Sequence, residues 1–385
     1  MSNKIIADTL LEIADAIESG EFGKKPTIAV TNIGCEHGIE NIAKACELAQ
    51  SPQYNVVMIG KACDNYKHIK TIEVDGEDEM YEKMEQMLDQ GEIDACITMH
   101  YNFPIGVSTV GRVVTPSTGK EMFIATTTGT SATHRVEAMI RNTISGIVAA
   151  KSTGIKEPTV GILNIEGARQ VEKGLRQLNE NGYPIHFAES KRSDGGVAMR
   201  GNDLLMGTPD VMVTDSLTGN LLMKIFSSYT TGGAYEAMGF GYGPGIGENF
   251  KRRVFIVSRA SGAPVIANAI RYAYDTVKDQ DIVAISEQEF KKAHQAKLDQ
   301  ILGELTAKKD EGPKEEVKMP EKEVVSEAIS GIDILEIEDA TRALWKEGIY
   351  AESGMGCTGP IVQVNSDNLA KARQILRDQK YIMED

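Results

Sequence analysis

Residues 27–32 read TIAVTN, and the same short apolar run closing on a loop recurs as NVVMIG at 55–60, DACITM at 94–99 and EMFIATT at 121–127. It continues as TVGILN at 159–164, PIHFAES at 184–190, VMVTDS at 211–216 and RVFIVSR at 253–259. A glycine-rich or polar loop and then a stretch of helical periodicity follow these runs, which is the pattern of strands joined by helical crossovers. The expected fold class is therefore α/β, with parallel or mixed sheets. Ligands of such sheets bind beyond the carboxyl ends of the strands, so chemistry is sought in the loops after these runs.

The alternation stops near residue 307. Residues 308–323, KKDEGPKEEVKMPEKE, hold 11 charged residues and two prolines. That is too polar to build a core and too broken for one helix, so it reads as a linker. Beyond it, residues 338–346 and 368–377 carry apolar residues at helical spacing and flank ESGMGCTGPIVQV at 352–364. The tail thus reads as a small α+β module of its own.

Within that hairpin, Cys357 stands among glycines. Gly354, Gly356 and Gly359 permit sharply turned backbone and remove side chains that would screen the sulfur. Pro360 leads into the alternation Ile361, Val362, Gln363, Val364, a strand pattern. The N–H groups of a turn built on Gly356 and Gly359 can form an anion-binding concavity suited to a thiolate or a thioester oxyanion. The competing interpretation is a tight turn with an incidental small residue. Of the other cysteines, Cys96 and Cys46 fall in core patterns, Cys63 follows a strand, and Cys35 belongs to a Cys35-Glu36-His37 triplet without the further ligands that zinc spacing requires. No metal is expected.

The chain has 385 residues, long enough for more than one domain, and a formal charge of -15 that argues against nucleic acid as a partner. No apolar run approaches the roughly 20 residues of a membrane span. The N-terminal residues 1–22 mix acids into an amphipathic pattern, unlike a signal or transit peptide. Five cysteines without framework spacing fit a reducing compartment, so a cytoplasmic location is expected.

Three strand ends carry polar groups suited to an anion. Residues 215–224, DSLTGNLLMK, open a helix whose first N–H groups are unpaired, with Lys224 as countercharge. Ser258 and Arg259 end the strand FIVS, and an arginine there offers a bidentate fork to phosphate or carboxylate. Residues 126–135, TTTGTSATHR, form a hydroxyl-rich loop including Thr128 and Gly129 that leads into a helix bearing Arg135. Each alone also fits ordinary capping or a surface ion pair.

The strand order, the DSLTGNLLMK turn, the glycine-rich MGFGYGPGIG at 238–247 and the Ser258-Arg259 strand end resemble the phosphate acyltransferases, over roughly residues 27 to 300. The resemblance implies the two-domain isocitrate dehydrogenase-like fold with a cleft between α/β domains. Residues 1–142 with 258–306 would form the first domain and 143–257 the second, followed by the charged linker at 307–324 and the cysteine-bearing module at 325–385. It implies that Asp215, Gly219, Asn220, Ser258 and Arg259 line a cleft for phosphate or acyl phosphate. One departure stands out: the acid that follows the Ser-Arg pair in phosphate acetyltransferases is missing from ASGAPVIANA at 260–269, which suggests that coenzyme A is not the acyl donor.

With its tail included, the chain resembles the protein C alpha subunits of glycine reductase complexes. That resemblance implies an acetyl group carried as a thioester on Cys357 and released to inorganic phosphate as acetyl phosphate. The implied partners are a beta subunit and a small selenoprotein A bearing a carboxymethyl selenoether, in an oligomeric assembly, with no cofactor in this chain. The alternatives are an acyl-carrier-protein:phosphate acyltransferase of phospholipid synthesis, which should not need the tail, and a non-catalytic assembly subunit in which Cys357 is structural.

Overall fold

The computed structural model describes residues 25–191, 195–278, 281–307, 317–333, 336–356 and 359–382, with a few positions nearer the N-terminus. Strand β1 (Thr27–Thr31) leads through α1 (Ile39–Leu48), β2 (Asn55–Gly60), β3 (Thr71–Glu73) and α2 (Glu77–Asp89) to β4 (Ala95–Thr98). The hairpin β5 (Val107–Val114) and β6 (Glu121–Thr130) precedes α3 (Arg135–Ser152), β7 (Thr159–Leu163), α4 (Ala168–Glu180), β8 (His186–Phe187) and β9 (Ala198–Met199). Then come α5 (Gly201–Met206), β10 (Val211–Val213), α6 (Ser216–Ser228), β11 (Gly243–Ile246), β12 (Val254–Ile256), α7 (Ala263–Lys278), α8 (Ile282–Gln295) and α9 (Leu298–Thr306).

These strands hydrogen-bond in the order β3-β2-β1-β4-β12-β11-β5-β6-β10-β7-β8, with β9 also on β7. Two parallel halves, β3 to β12 and β6 to β8, are bridged by antiparallel β11 and β5. The sheet is buried on both faces. Ile28 and Val30 enter one apolar core while Ala29 enters the other, and Val56 and Met58 alternate likewise with Val57 and Ile59. Burial on both faces is why the strands read as unbroken apolar runs.

Three details depart from the sequence reading. Thr128 to Thr130, expected in a loop, extend β6, because Val107 to Thr109 pair with them across a register shift. The boundary expected between 142 and 143 falls inside α3, whose buried Met139, Ile140, Ile144 and Ile147 form one continuous stripe. β6, expected with the first domain, pairs with β10 of the second half, while β5 joins it to β11.

The tail has its own sheet, β13 (Glu327–Ser330), β15 (Gly359–Val364) and β14 (Ala351–Gly356) in the order β13-β15-β14, packed on α10 (Ile337–Lys346) and α11 (Leu369–Asp378). Its core of Ile329, Leu344, Val362, Val364 and Leu376 is separate from the two cores of the large sheet. Pro360 lies in β15 beyond the reach of β13, which pairs only as far as Ile361, so its missing N–H disrupts no bond on that side. Among the described residues no helix is long and apolar enough to cross a membrane.

Candidate active site

Helix α6 sets the site. Asp215 caps it, its carboxylate accepting from Thr218 N at 2.9 Å and from Thr218 Oγ1 at 3.0 Å. Arg135 donates to the same carboxylate at 2.5 Å and to Glu166 at 2.7 Å. Burial pushes the Asp215 carboxyl up, but the Thr218 N–H and Arg135 outweigh it and hold the group below the ordinary aspartate range. Gly219 then lets the first turn of α6 press on β6: a Cβ there would stand 1.8 Å from the Thr126 carbonyl oxygen. Asn220 uses that closeness, its Nδ2 donating to the Thr127 carbonyl at 3.0 Å.

One turn further, Lys224 reaches the end of β12. Its Nζ lies 3.4 Å from Ser258 Oγ and 3.5 Å from Glu236 Oε1, with the Tyr242 ring centre 6.0 Å away. Glu236 is 3% exposed. It accepts from Ser261 Oγ at 2.6 Å and from the Tyr242 hydroxyl at 3.0 Å, so a buried carboxylate ties Lys224 to the turn after β12. Burial first, and the Glu236 charge second, push the Tyr242 phenol far up, so it remains a donor.

Thr128, Asn220, Lys224, Ser258 and Arg259 line one cleft of about 340 Å³. Met99, His100, Tyr101, Phe103, Tyr242, Ile256 and Val257 complete it. The cleft is therefore lined by polar and cationic groups together with an aromatic and apolar wall. Asp215, Gly219 and Gly129 are not among the lining groups. The first two build the approach of α6 to β6, and Gly129, at φ +78°, would place a Cβ 2.6 Å from the Val107 carbonyl. Arg259 is half-exposed and meets Glu77 at 3.3 Å. Both sequence interpretations of this residue are thus present together, a cleft wall and a surface ion pair.

Gly356 and Gly359 are the last registered pair of β14 and β15. Cys357 itself lies outside the described residues. Cys46 and Cys96 are fully buried, and burial pushes the Cys46 thiol up to about 12 and that of Cys96 higher still. Cys35 is half-buried and receives Asn41 Nδ2 at 3.6 Å, while His37 Nε2 sits 3.2 Å from the Ala260 carbonyl. Among the described residues no group of three or more His, Cys, Asp or Glu is placed to hold a metal ion.

The sequence reading did not single out Glu236, Tyr242 or the Met99–Phe103 wall. The wall directly follows β4, so the rule that ligands sit beyond strand ends would have pointed to it. Glu236 stands in GGAYEAMGFGY at 232–242, where nothing local signals a buried acid.

A family model described as "Fatty acid synthesis protein" matches residues 26–363. The glycine/sarcosine/betaine reductase complex component C subunit alpha of Peptoclostridium acidaminophilum is 58% identical over 378 residues, 97% of each chain. A phosphate acyltransferase of Lysinibacillus sphaericus is 29% identical over 170 residues, 40% of this chain and 49% of that one. Among solved structures, a branched-chain phosphotransacylase from Enterococcus faecalis overlaps 66% of this chain and 99% of its own at 17% identity, with a TM-score of 0.47. By its match to that model and its near end-to-end identity to the component C subunit, the chain belongs to the fatty acid synthesis protein family and, within it, to the alpha subunits of glycine/sarcosine/betaine reductase component C.

Proposed function

We propose that the chain carries an acetyl group as a thioester on Cys357 and transfers it to inorganic phosphate, releasing acetyl phosphate. The observation that carries this reading is the convergence of Lys224, Ser258, Arg259, Asn220 and Thr128 on one cleft, in a chain that ends in a separately cored hairpin bearing a cysteine. Phosphate would lie against Lys224 and Arg259. One of its oxygens would attack the thioester carbonyl: a C–O bond forms, the C–S bond breaks, and its electron pair returns to sulfur as the thiolate. The oxyanion formed on the way would be received by N–H groups of the glycine-flanked turn or by Asn220.

The alpha-subunit relative is named as part of a complex, which supports a multi-component assembly here. The partners in this reading are a beta subunit and the selenoprotein A that delivers the two-carbon unit, with no cofactor held by this chain. The test is arsenolysis. Purified chain mixed with acetyl phosphate and arsenate should hydrolyse acetyl phosphate in an arsenate-dependent way, and Cys357→Ser should abolish it. Full arsenolysis by the serine variant would remove the thioester from the mechanism.

A further inference from the structure

A second cavity of about 470 Å³ begins one residue along the chain from the cleft wall. Phe103 lines the cleft, whereas the next residue, Pro104, lines the second cavity together with Phe250 and Phe290. The Phe103 ring, on the cleft, meets the Phe250 ring, on the second cavity, edge-on at 5.5 Å, and meets Tyr101 at 4.9 Å, so the Phe103–Phe250 contact joins the two linings. The ring is seated by a glycine. At Gly245 of β11 a Cβ would stand 2.2 Å from Phe103 Cε1, so only a residue without a side chain lets Phe103 lie there.

The geometry points to Phe103 as the residue that limits the acyl group to a short chain. This rests on the reading of the cleft as an acyl phosphate site and names its substrate class. With phosphate at Lys224 and Arg259, the acyl carbon chain would run along the wall of Tyr101 and Phe103. A two-carbon acyl group stops short of the rings. A chain of six or more carbons would need the volume beyond them, which Phe250 and Phe290 line together with the charged groups of Glu137, Arg141 and Glu248. The Phe103–Phe250 contact therefore excludes long acyl phosphates by steric means, and the chain separates from long-chain acyltransferase activity at one side chain.

Acylphosphonates, inert analogues of acyl phosphates, with acyl groups of two, four and eight carbons serve as probes, titrated calorimetrically into the full chain. The wild type should bind the two-carbon analogue at least tenfold more tightly than the eight-carbon one. Phe103→Ala should gain about fourfold in affinity per methylene that enters the second cavity, reversing the order. Phe103→Leu, which keeps apolar packing over Gly245, should give an intermediate profile and covers the case in which the alanine variant fails to fold. Equal wild-type affinity for two and eight carbons would overturn that exclusion. So would folded variants that bind the two-carbon analogue normally yet gain nothing for longer ones. A wild type that binds no analogue of any length would instead overturn the reading of the cleft, and the inference with it.

Discussion

Lys224 and Arg259 bring two positive charges to the cleft, and their surroundings give them unequal roles. Lys224 is held between buried Glu236 and Ser258, so its ammonium is fixed before any anion arrives. Arg259 spends its charge on Glu77 at the surface, an exposed pair worth at most about 1 kcal/mol, and swings away from it cheaply. Replacing either by alanine should raise the phosphate KM roughly ten- to a hundredfold, the loss of a charged hydrogen bond of about 1.5–3 kcal/mol. Glu77→Ala should lower it, by no more than about fivefold. Phosphate-dependence curves on folded variants check both, and an unchanged KM in Lys224→Ala would move the anion site elsewhere. These residues were legible because they follow strand ends or open a helix, where local sequence dictates exposure. Glu236 and Phe103 were not, since their roles depend on partners outside their local sequence, Ser261 for the first and Gly245 for the second.

At the scale of elements, α6 carries Asn220 and Lys224 into the cleft only because its first turn is pinned to β6. Gly219→Ala would drive a Cβ into the Thr126 carbonyl, and backbone cannot step aside as a side chain does. The cost expected is about 1–3 kcal/mol of stability, read as a lower urea midpoint, with phosphate affinity falling as Asn220 withdraws from Thr127. Asp215 adds a pH dependence. Its carboxyl titrates lower in the folded chain than in the unfolded one, so its contribution is complete above the ordinary aspartate value near 4 and is lost as pH falls below it. Asp203 and Asp210 shift in the same direction, for hydrogen-bonding reasons that outweigh burial. The melting temperature should therefore fall as pH drops from about 5 toward 3, and Asp215→Asn should flatten part of that fall. A melting temperature independent of pH over that range would contradict the cap. The central parallel strands β1, β2, β4, β6, β7, β10 and β12 were readable from sequence because each is a buried apolar run, whereas the short strands β3 and β9 were not. β11 was not: GPGI has no apolar run, and Gly243 and Gly245 are there because Val110 and Phe103 press against that strand.

For the molecule as a whole, the question is how a cysteine on one core serves a cleft on another. The large sheet and its helices end with α9 at Thr306, and the tail begins with β13 at Glu327. At about 3.3 Å per residue, the chain between them could reach about 70 Å when extended. The part of the expected linker at 308–316 lies outside the described residues, while residues 317–326 form neither helix nor strand and leave Lys318, Met319 and Val324 exposed. The tail's small core, centred on Ile329, Leu344, Val362 and Leu376, needs nothing from the large sheet to be buried. Trypsin should therefore cut first at Lys318, leaving a large fragment with the cleft intact and a small one with Cys357. The large fragment should still bind phosphate and lose arsenolysis, because the anion site remains while the sulfur is gone. Adding the small fragment back in excess should restore arsenolysis in part, since removing the tether lowers the effective concentration of the thiol without altering either surface. A tail that resists trypsin, or a large fragment that keeps full arsenolysis without Cys357, would show that the thiol does not travel to this cleft.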